Sequence, residues 1–273
     1  MPDPIVFAGI TPHPPLLVPE VGGDRITTVA DSQVALRDFA RRLMESAPDT
    51  IVLVSPHSPL DPRRFLARST PRLEGDFAEF RAPRVRLSFE NDLALLDAIA
   101  AAGRDQGVEM SLIEHHYPLD HGALVPLYYL REAGWTGPIV VLAFTLQSNE
   151  VHLAFGRAIR NAAASLGRRI AFVASGDLSH RLIVDGPYQY EPTAHLFDEQ
   201  IVAAIGSGDA RAVLDIDAGL KERAGECGYR SIVVALGAVN EDLSDHQVLS
   251  YEGPFGVGYM VAVLSDDSRH REA

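Results

Sequence analysis

The sequence predicts an α/β fold: a largely parallel central sheet with helices on both faces and an added antiparallel hairpin at one edge. Three observations carry this prediction. Short apolar, β-branched runs alternate with segments of helical periodicity. The 273 residues contain no repeat, linker or low-complexity segment. Hydrophobic residues make up 47% and charged residues 22%, a balance typical of a globular core.

The predicted strands are apolar at successive positions, as expected for strands buried on both faces. Five runs have this character: IVFAGI, TIVLVS, VEMSLIE, PIVVLAFT and IAFVAS. The segments FAEFRAP and RVRLSFE alternate polar and apolar residues and predict the edge hairpin. HQVLSYEG and VGYMVAVLS predict a closing pair near the end of the chain.

Helical patterns fill the intervals between these runs. One is expected from Asp24 to Glu45, and another begins at an Asn91 cap. Further helices are expected in HGALVPLYYLREAG, NEVHLAFGRAIRNAAASLG, EPTAHLFDEQIVAAIG and CGYRSIVVALGAV. We therefore expect one domain over residues 1–264, with residues 265–273 as a frayed tail.

Composition narrows the classes of function. The net charge of −13 argues against nucleic acid as a partner, because phosphate contacts need clustered basic residues. The densest basic patch, DPRRF with RSTPR, is interpreted as a solvated loop. No apolar run approaches the ~20 residues of a membrane span, and no signal peptide is recognisable. Cys227 is the single cysteine, so no internal disulfide can form, and a reducing cytoplasm is expected.

Histidines follow several predicted strands. TPHPP places His13 after the first run, and SPHSP places His57 after the second. ASGDLSH places His180 after IAFVAS, and His121 follows VEMSLIE after a short loop. Ligands of open α/β sheets bind beyond the carboxyl ends of the strands, so these rings are expected to converge. Prolines on both sides of His13 and His57 stiffen the backbone, which a metal ligand requires.

The other histidines have simpler interpretations. A single histidine in a loop or helix is more often a surface or hydrogen-bonded residue than a ligand. We interpret four in this way: His152, His195, His246 and His270. His115 and His116 stay undecided between a pocket lining and the surface.

Imidazole suits Zn, Cu, Fe and Ni, and two histidines with one anionic ligand form the facial triad of non-haem Fe(II) oxygenases. Four residues are candidates for the third ligand: Asp177, Glu226, Cys227 and Glu252. Cys227 lies where a predicted helix begins, a position that lowers the pKa of a thiol. The alternative for Cys227 is a small buried hydrophobic residue. Glu252 more readily belongs to a turn.

At these residues the sequence resembles the class III extradiol dioxygenase superfamily, the LigB-like fold that includes the Memo proteins. TPHPP and SPHSP are similar to the two iron-histidine turns, LDHGALVPLYYL to the family's DHG helix start, and ASGDLSH to its GLSH-like motif. The resemblance implies that His13 and His57 bind the metal. It also implies that His180 is the main acid–base residue, that His121 assists it, and that Asp177 orients His180 or a water.

The resemblance departs from ring-cleaving members at the third ligand. Where they carry a glutamate, this chain has Cys227, with Glu226 beside it, and Memo-like members are similar at this position. A thiolate shifts preference towards Zn or Cu, or retunes iron. The leading hypothesis is an Fe(II) enzyme acting on a catecholic substrate with O2. The alternatives are a Memo-like His/His/Cys protein without ring cleavage and a zinc-dependent hydrolase. A homodimer is a further implication of the family.

Overall fold

The structure is a computed structural model that describes residues 3–270. Its strands are β1 Ile5–Thr11, β2 Thr50–Val54, β3 Phe65–Arg68, β4 Arg72–Phe77, β5 Ala82–Glu90, β6 Met110–Ile113, β7 Ile139–Leu142, β8 Ile170–Ser175, β9 Gln247–Glu252 and β10 Tyr259–Asp266. Its α-helices are α1 Pro19–Gly22, α2 Ala30–Glu45, α3 Leu93–Asp105, α4 His121–Glu132, α5 Asn149–Ser165, α6 Ala194–Gly206, α7 Ala210–Leu214, α8 Ala218–Ala224 and α9 Tyr229–Ala238.

Within residues 3–270, eight strands form one sheet in the order β6-β3-β7-β2-β8-β1-β10-β9. The four central strands β7, β2, β8 and β1 are parallel to one another. At one edge β3 and β6 run parallel to each other but antiparallel to β7. At the other edge β10 and β9 add as antiparallel strands, the closing pair expected from the sequence. The predicted α/β class is confirmed.

Apolar side chains on the two faces of the sheet form two layers. Val52 and Val54 belong to the layer under α3, α5, α6 and α9. Ile51 and Leu53 alternate with them and belong to the layer under α2, α4 and the β4–β5 hairpin. Burial on both faces explains the uninterrupted apolar run. Burying each such side chain stabilises the folded state by about 1.5–3 kcal/mol.

The hairpin differs from the prediction in its bounds and its pairing. β4 and β5 form a separate two-stranded sheet rather than an edge of the main one. The middle of FAEFRAP is the turn rather than a strand: a 3-10 helix occupies Ala78–Phe80, Arg81 has φ 65°, and only the ends of the segment belong to β4 and β5. The Asp76 side chain starts this turn by accepting the Ala78 N–H at 2.9 Å.

Three other predicted elements are corrected. Residues Gly23–Val29 form a 3-10 helix, and α2 begins only at Ala30, because the β-branched run ITTV disfavours an α-helix. Asp92 rather than Asn91 caps α3, accepting the Leu95 N–H at 3.1 Å. The run VEMSLIE supplies β6, which is a partly exposed edge strand and not a buried one.

Regular structure continues past the predicted domain end at residue 264. Strand β10 reaches Asp266, and a 3-10 helix spans Asp267–His270. The remainder of the predicted tail, residues 271–273, lies outside the described residues. Among residues 3–270, the helices are all too short or too polar to cross a membrane.

Candidate metal centre

The carboxyl ends of three neighbouring parallel strands carry the predicted site residues. β8 lies between β2 and β1. His13 is two residues beyond β1, His57 three beyond β2, and Asp177 two beyond β8. Parallel strands bring their carboxyl ends to one edge of the sheet, so the topology places these residues side by side.

Three histidines form what we term the imidazole group: His13, His57 and His121. The Nε2 atoms of His13 and His57 are 3.0 Å apart. The ring centroids of His57 and His121 are 4.1 Å apart, and those of His13 and His121 are 5.5 Å apart. One nitrogen from each ring lies within 4.8 Å of the others, which is close enough for a shared ion.

A second cluster, which we term the thiol group, contains His13, Asp177 and Cys227. Cys227 Sγ lies 3.6 Å from His13 Nε2, and Asp177 Oδ2 lies 3.7 Å from the same atom. The ligand atoms of this group also lie within 4.8 Å of one another. His13 belongs to both groups, so nitrogen, oxygen and sulfur donors surround one Nε2 atom.

Two glycines allow Asp177 and Cys227 to meet. A Cβ on Gly176 would lie 2.0 Å from the Gly228 Cα, so only glycine permits this backbone contact. The Asp177 carbonyl accepts the Gly228 N–H at 2.9 Å, and the Asp177 N–H points to Cys227 Sγ at 3.3 Å.

The hydrogen bonds of His13 fix its tautomer. Ser175 Oγ donates its single proton to the Gly122 carbonyl at 2.5 Å. The Ser175–His13 contact of 2.9 Å therefore has Nδ1–H of His13 as the donor. Neutral His13 then presents an unprotonated Nε2 to the site, which is the form that binds a metal.

The histidines are held neutral by their surroundings. Burial lowers the pKa of His13 well below its ordinary value, and positive charge on His57, His121 or His180 would lower it further. Burial also lowers the pKa of His121 and of His180 to about 4. A neutral imidazole is the ligating form and can also accept a proton.

The acidic members of the thiol group hold their protons more strongly. Burial raises the pKa of Asp177 to about 7, and burial followed by the Asp177 charge raises the pKa of the Cys227 thiol. The sequence predicts a lowered thiol pKa at this helix start, and that expectation is wrong. Cys227 precedes the helix cap Gly228 of α9, and desolvation outweighs the helix end. A cation held by these residues would reverse this balance, since a coordinating thiol is deprotonated.

The start of a helix, rather than the end of a parallel strand, positions His121 at the site. β6 runs antiparallel to the central strands, so the argument from a shared carboxyl edge does not apply to it. His121 is instead the first residue of α4, and the Asp120 carboxylate caps that helix through the Ala123 N–H at 3.1 Å.

Arg68 is the residue that the sequence interpretation missed. It lies in RSTPR, expected to be a solvated loop, yet it ends strand β3 and is only 2% exposed. Its guanidinium lies 3.4 Å from the Asp120 carboxylate. Buried charge needs a partner, and the acidic residue before His121 supplies it.

His180 lies close enough to His13 and His57 to interact with them electrostatically, and its ring packs edge-on against Tyr188 at 5.0 Å between centroids. The Asp177 carboxylate accepts the His13 N–H at 2.9 Å, and its expected role in orienting His180 or a water stays a prediction. His152 is buried and bonded to the Ser148 carbonyl at 2.8 Å, in agreement with a structural role.

The other candidate ligands have different partners. Glu226 Oε2 accepts the Tyr229 N–H at 2.6 Å and so caps α9, and Glu252 Oε1 accepts the Ser32 N–H at 2.8 Å at the start of α2. Neither belongs to a metal-competent group among the described residues.

A cavity of about 1010 Å³ opens beside the imidazole group. His57 and His121 line it from the sheet side, and the β4–β5 hairpin covers it with Phe80, whose ring centroid is 5.4 Å from that of His121. His115 and His116, undecided from the sequence, are both exposed, and of the two His116 lines this cavity. The space is large enough for a small aromatic molecule.

Known proteins are similar to this chain in sequence and in fold. Protein CA_C1420 of Clostridium acetobutylicum is 32% identical over 275 aligned positions, which cover 96% of this chain. The chain spans 59% of the length of that relative. The crystal structure of the uncharacterized protein JW3007 from Escherichia coli K12 matches with a TM-score of 0.65 and 19% identity, covering 94% of this chain and 98% of that one. This similarity shows that the two chains share a fold.

A family profile described as the catalytic LigB subunit of aromatic ring-opening dioxygenase matches residues 8–262. This match spans β1 to β10 and contains His13, His57, His121 and Cys227. The chain therefore belongs to the LigB family.

Proposed function

We propose that the protein is a non-haem Fe(II) dioxygenase that opens a catecholic aromatic ring with O2. The observation that supports this most is the convergence of the imidazole and thiol groups on His13 Nε2, beside a cavity, in a LigB-family chain.

The donor set fits a transition metal. The imidazole nitrogens of one group and the nitrogen, carboxyl oxygen and sulfur of the other lie within 4.8 Å of one another inside each group. Because both groups contain His13, donors drawn from the two can provide three facial ligands and leave positions open. We assign His13, His57 and Cys227 as the ligands, with Asp177 beside them. When bound, Fe(II) supplies a Lewis-acid centre that favours ionisation of the diol and a redox partner for O2.

The remaining residues bind the substrate and move its protons. The Phe80 ring and the His121 ring would hold the aromatic substrate in the cavity beside His57. His180 is neutral at pH 7, so a ring nitrogen can accept a phenolic proton and later return it to the product. Neutral His121 would donate a hydrogen bond to a substrate oxygen. The hairpin over the cavity would limit the entry of water.

The direct test loads the purified protein with Fe(II) under anaerobic conditions and adds a panel of catechols followed by O2. We expect O2 uptake with a yellow ring-opened product from at least one catechol, and a His180→Gln variant should lose that activity while keeping the metal. A metal-loaded protein that consumes no O2 across the panel would contradict the proposal.

A second candidate function has one observation in its favour. Cys227 Sγ lies 3.6 Å from His13 Nε2, while Glu226 points away to cap α9. A His/His/Cys site suits Zn or Cu, as in a Memo-like metal-binding protein without ring cleavage. Elemental analysis of wild type and Cys227→Glu separates the two candidates. Zn or Cu in wild type, with Fe(II) and O2 uptake only in the variant, would favour the second.

The expected homodimer and the cytoplasmic location stay predictions. Light scattering coupled to gel filtration measures the first, and cell fractionation measures the second.

A further inference from the structure

A buried arginine joins the two segments that carry His57 and His121. Arg68, at the end of β3, donates to four acceptors from different parts of the chain. These are Ser58 Oγ at 3.1 Å, the Tyr117 carbonyl at 3.0 Å, the Pro118 carbonyl at 2.8 Å and Asp120 Oδ2 at 3.4 Å. The planar guanidinium has five donors in a fixed fork, so it can hold these acceptors at set positions.

The Asp120 carboxylate completes the connection. Its Oδ2 accepts from Ser58 Oγ at 2.8 Å and from Arg68. Its Oδ1 accepts from Ser55 Oγ and from the Ala123 N–H that begins α4. The two serine contacts of this carboxylate therefore tie the loop after β2 to the start of α4, and the Arg68 contact ties both to the end of β3.

The connected segments are those that present the imidazoles. Ser55 and Ser58 flank His57, and the His57 N–H donates to Ser55 Oγ at 3.3 Å. His121 directly follows Asp120. The two rings lie 4.1 Å apart with an angle of 31° between their planes, although 63 residues separate them in the chain.

We propose that Arg68 is a positioning residue that sets the location and orientation of the His57 and His121 rings relative to each other. It touches neither ring itself and acts through Ser58 and Asp120. Without the guanidinium, the partly buried Asp120 carboxylate loses its counter-ion, and the carbonyls of Tyr117 and Pro118 lose their donor. The inference rests on the proposed function only in taking the imidazoles as part of a metal site.

Co(II) binding tests this inference without any requirement for ring cleavage. The variants are Arg68→Met and Arg68→Lys, and the matched control is Arg64→Met, which removes an exposed arginine paired with Glu109 at 3.3 Å. We expect Arg68→Met and Arg68→Lys to bind Co(II) at least about 10-fold more weakly than wild type, because an outer partner that orients ligands has an effect of this size. Their visible Co(II) spectra at saturation should also differ from that of wild type, whereas Arg64→Met should match wild type.

Wild-type affinity and an unchanged spectrum in Arg68→Met would overturn the inference, whatever the activity. Wild-type Co(II) affinity and an unchanged spectrum in Arg68→Lys would also overturn the inference, since a positive charge without the guanidinium would then suffice. If Arg68→Met does not fold, Ser58→Ala takes its place, because it removes the hydroxyl that bridges Arg68 and Asp120 but leaves the ion pair. Unchanged Co(II) binding in Ser58→Ala would then count against the proposal. A wild type that binds Co(II) and Fe(II) but consumes no O2 would refute the proposed function alone.

Discussion

The imidazole group and the thiol group share His13 but are built in different ways. Side-chain hydrogen bonds hold the imidazole group: Ser175 fixes His13, and Ser55 and Asp120 join the segments of His57 and His121. A backbone contact between Gly176 and Gly228 holds the thiol group. Burial lowers the pKa of the imidazoles and so favours their neutral form, whereas burial raises the pKa of Asp177 to about 7 and raises the pKa of the Cys227 thiol. A cation is therefore needed mainly to deprotonate and complete the thiol group.

The largest effect is expected where the two groups meet. His13→Ala removes the atom common to both, so binding of Co(II), Zn(II) and Fe(II) should fall by at least about 100-fold, above the range seen for outer partners alone. Isothermal titration calorimetry measures this, with exposed His195→Ala on α6 as the control. Binding within a few-fold of wild type in His13→Ala would show that the groups do not share one ion.

Gly176→Ala should break the thiol group while leaving the imidazole segments in place. The new Cβ would lie 2.0 Å from the Gly228 Cα, so the free energy of unfolding should fall by about 1–3 kcal/mol or more. Urea denaturation measures the loss. Gly206→Ala is the matched control, because its Cβ would meet nothing closer than Val248 Cγ2 at 3.8 Å. Equal stability of the two variants would show that the backbone contact is not tight.

Cys227→Ser tests the contribution of the sulfur donor, which belongs to the thiol group and not to the imidazole group. Replacing sulfur by oxygen should weaken Zn(II) or Cu binding by at least about 10-fold and Fe(II) binding by less, since thiolate favours the softer ions. Competition with a coloured chelator measures both affinities. A uniform loss for all metals would mean that the thiol has a structural role only.

The pH dependence of stability, measured without metal, tests how protonation differs between the histidines and the acidic residues. Unfolded histidine titrates near 6.5, but burial lowers the pKa of His180 to about 4 in the folded protein. The unfolded chain therefore binds more protons between these values, and stability is lost as the pH falls from 6.5 to 4. Buried Asp177 and Asp198 act in the opposite direction, since burial raises the pKa of the first to about 7 and of the second to about 6.

Comparison with His180→Gln isolates the histidine contribution. Between pH 7.5 and pH 5.0, wild type should lose roughly 2 kcal/mol more stability than the variant. Urea denaturation in the presence of a chelator provides the measurement. An identical pH dependence in both proteins would show that His180 is not desolvated.

The smallest effect is expected for substitution of Glu226, the residue before Cys227. Glu226→Gln keeps an oxygen that can accept the Tyr229 N–H, so the unfolding free energy should change by less than about 1 kcal/mol. Metal affinity should match wild type within error in the same titration used for Cys227→Ser. A loss equal to that of Cys227→Ser would assign Glu226 as the third ligand instead.

Much of the fold follows from local patterns in the sequence. The buried strands β1, β2, β7 and β8 are apolar except for a hydroxyl residue at one end of three of them, and proline-framed His13 and His57 follow two of these strands. Strand β3 was missed because it has only four residues and follows a basic segment. The burial of Arg68 depends on Asp120, 52 residues away, which no local pattern discloses.

Tertiary packing decides the parts of the site that local patterns leave open. Cys227 and Glu226 are adjacent, and the contact between Gly176 and Gly228 brings the thiol of Cys227 to His13. The pKa of that thiol depends in the same way on burial, which outweighs the helix end that the sequence discloses.

The central claim is that one ion binds imidazole and sulfur together at His13. X-ray absorption spectroscopy of the Zn(II)-loaded protein tests it most directly, with Cys227→Ser as the reference. We expect one sulfur neighbour at about 2.3 Å and at least two imidazole nitrogens at about 2.0 Å in wild type, with the sulfur absent from the variant. A first shell of nitrogen and oxygen alone in wild type would contradict it.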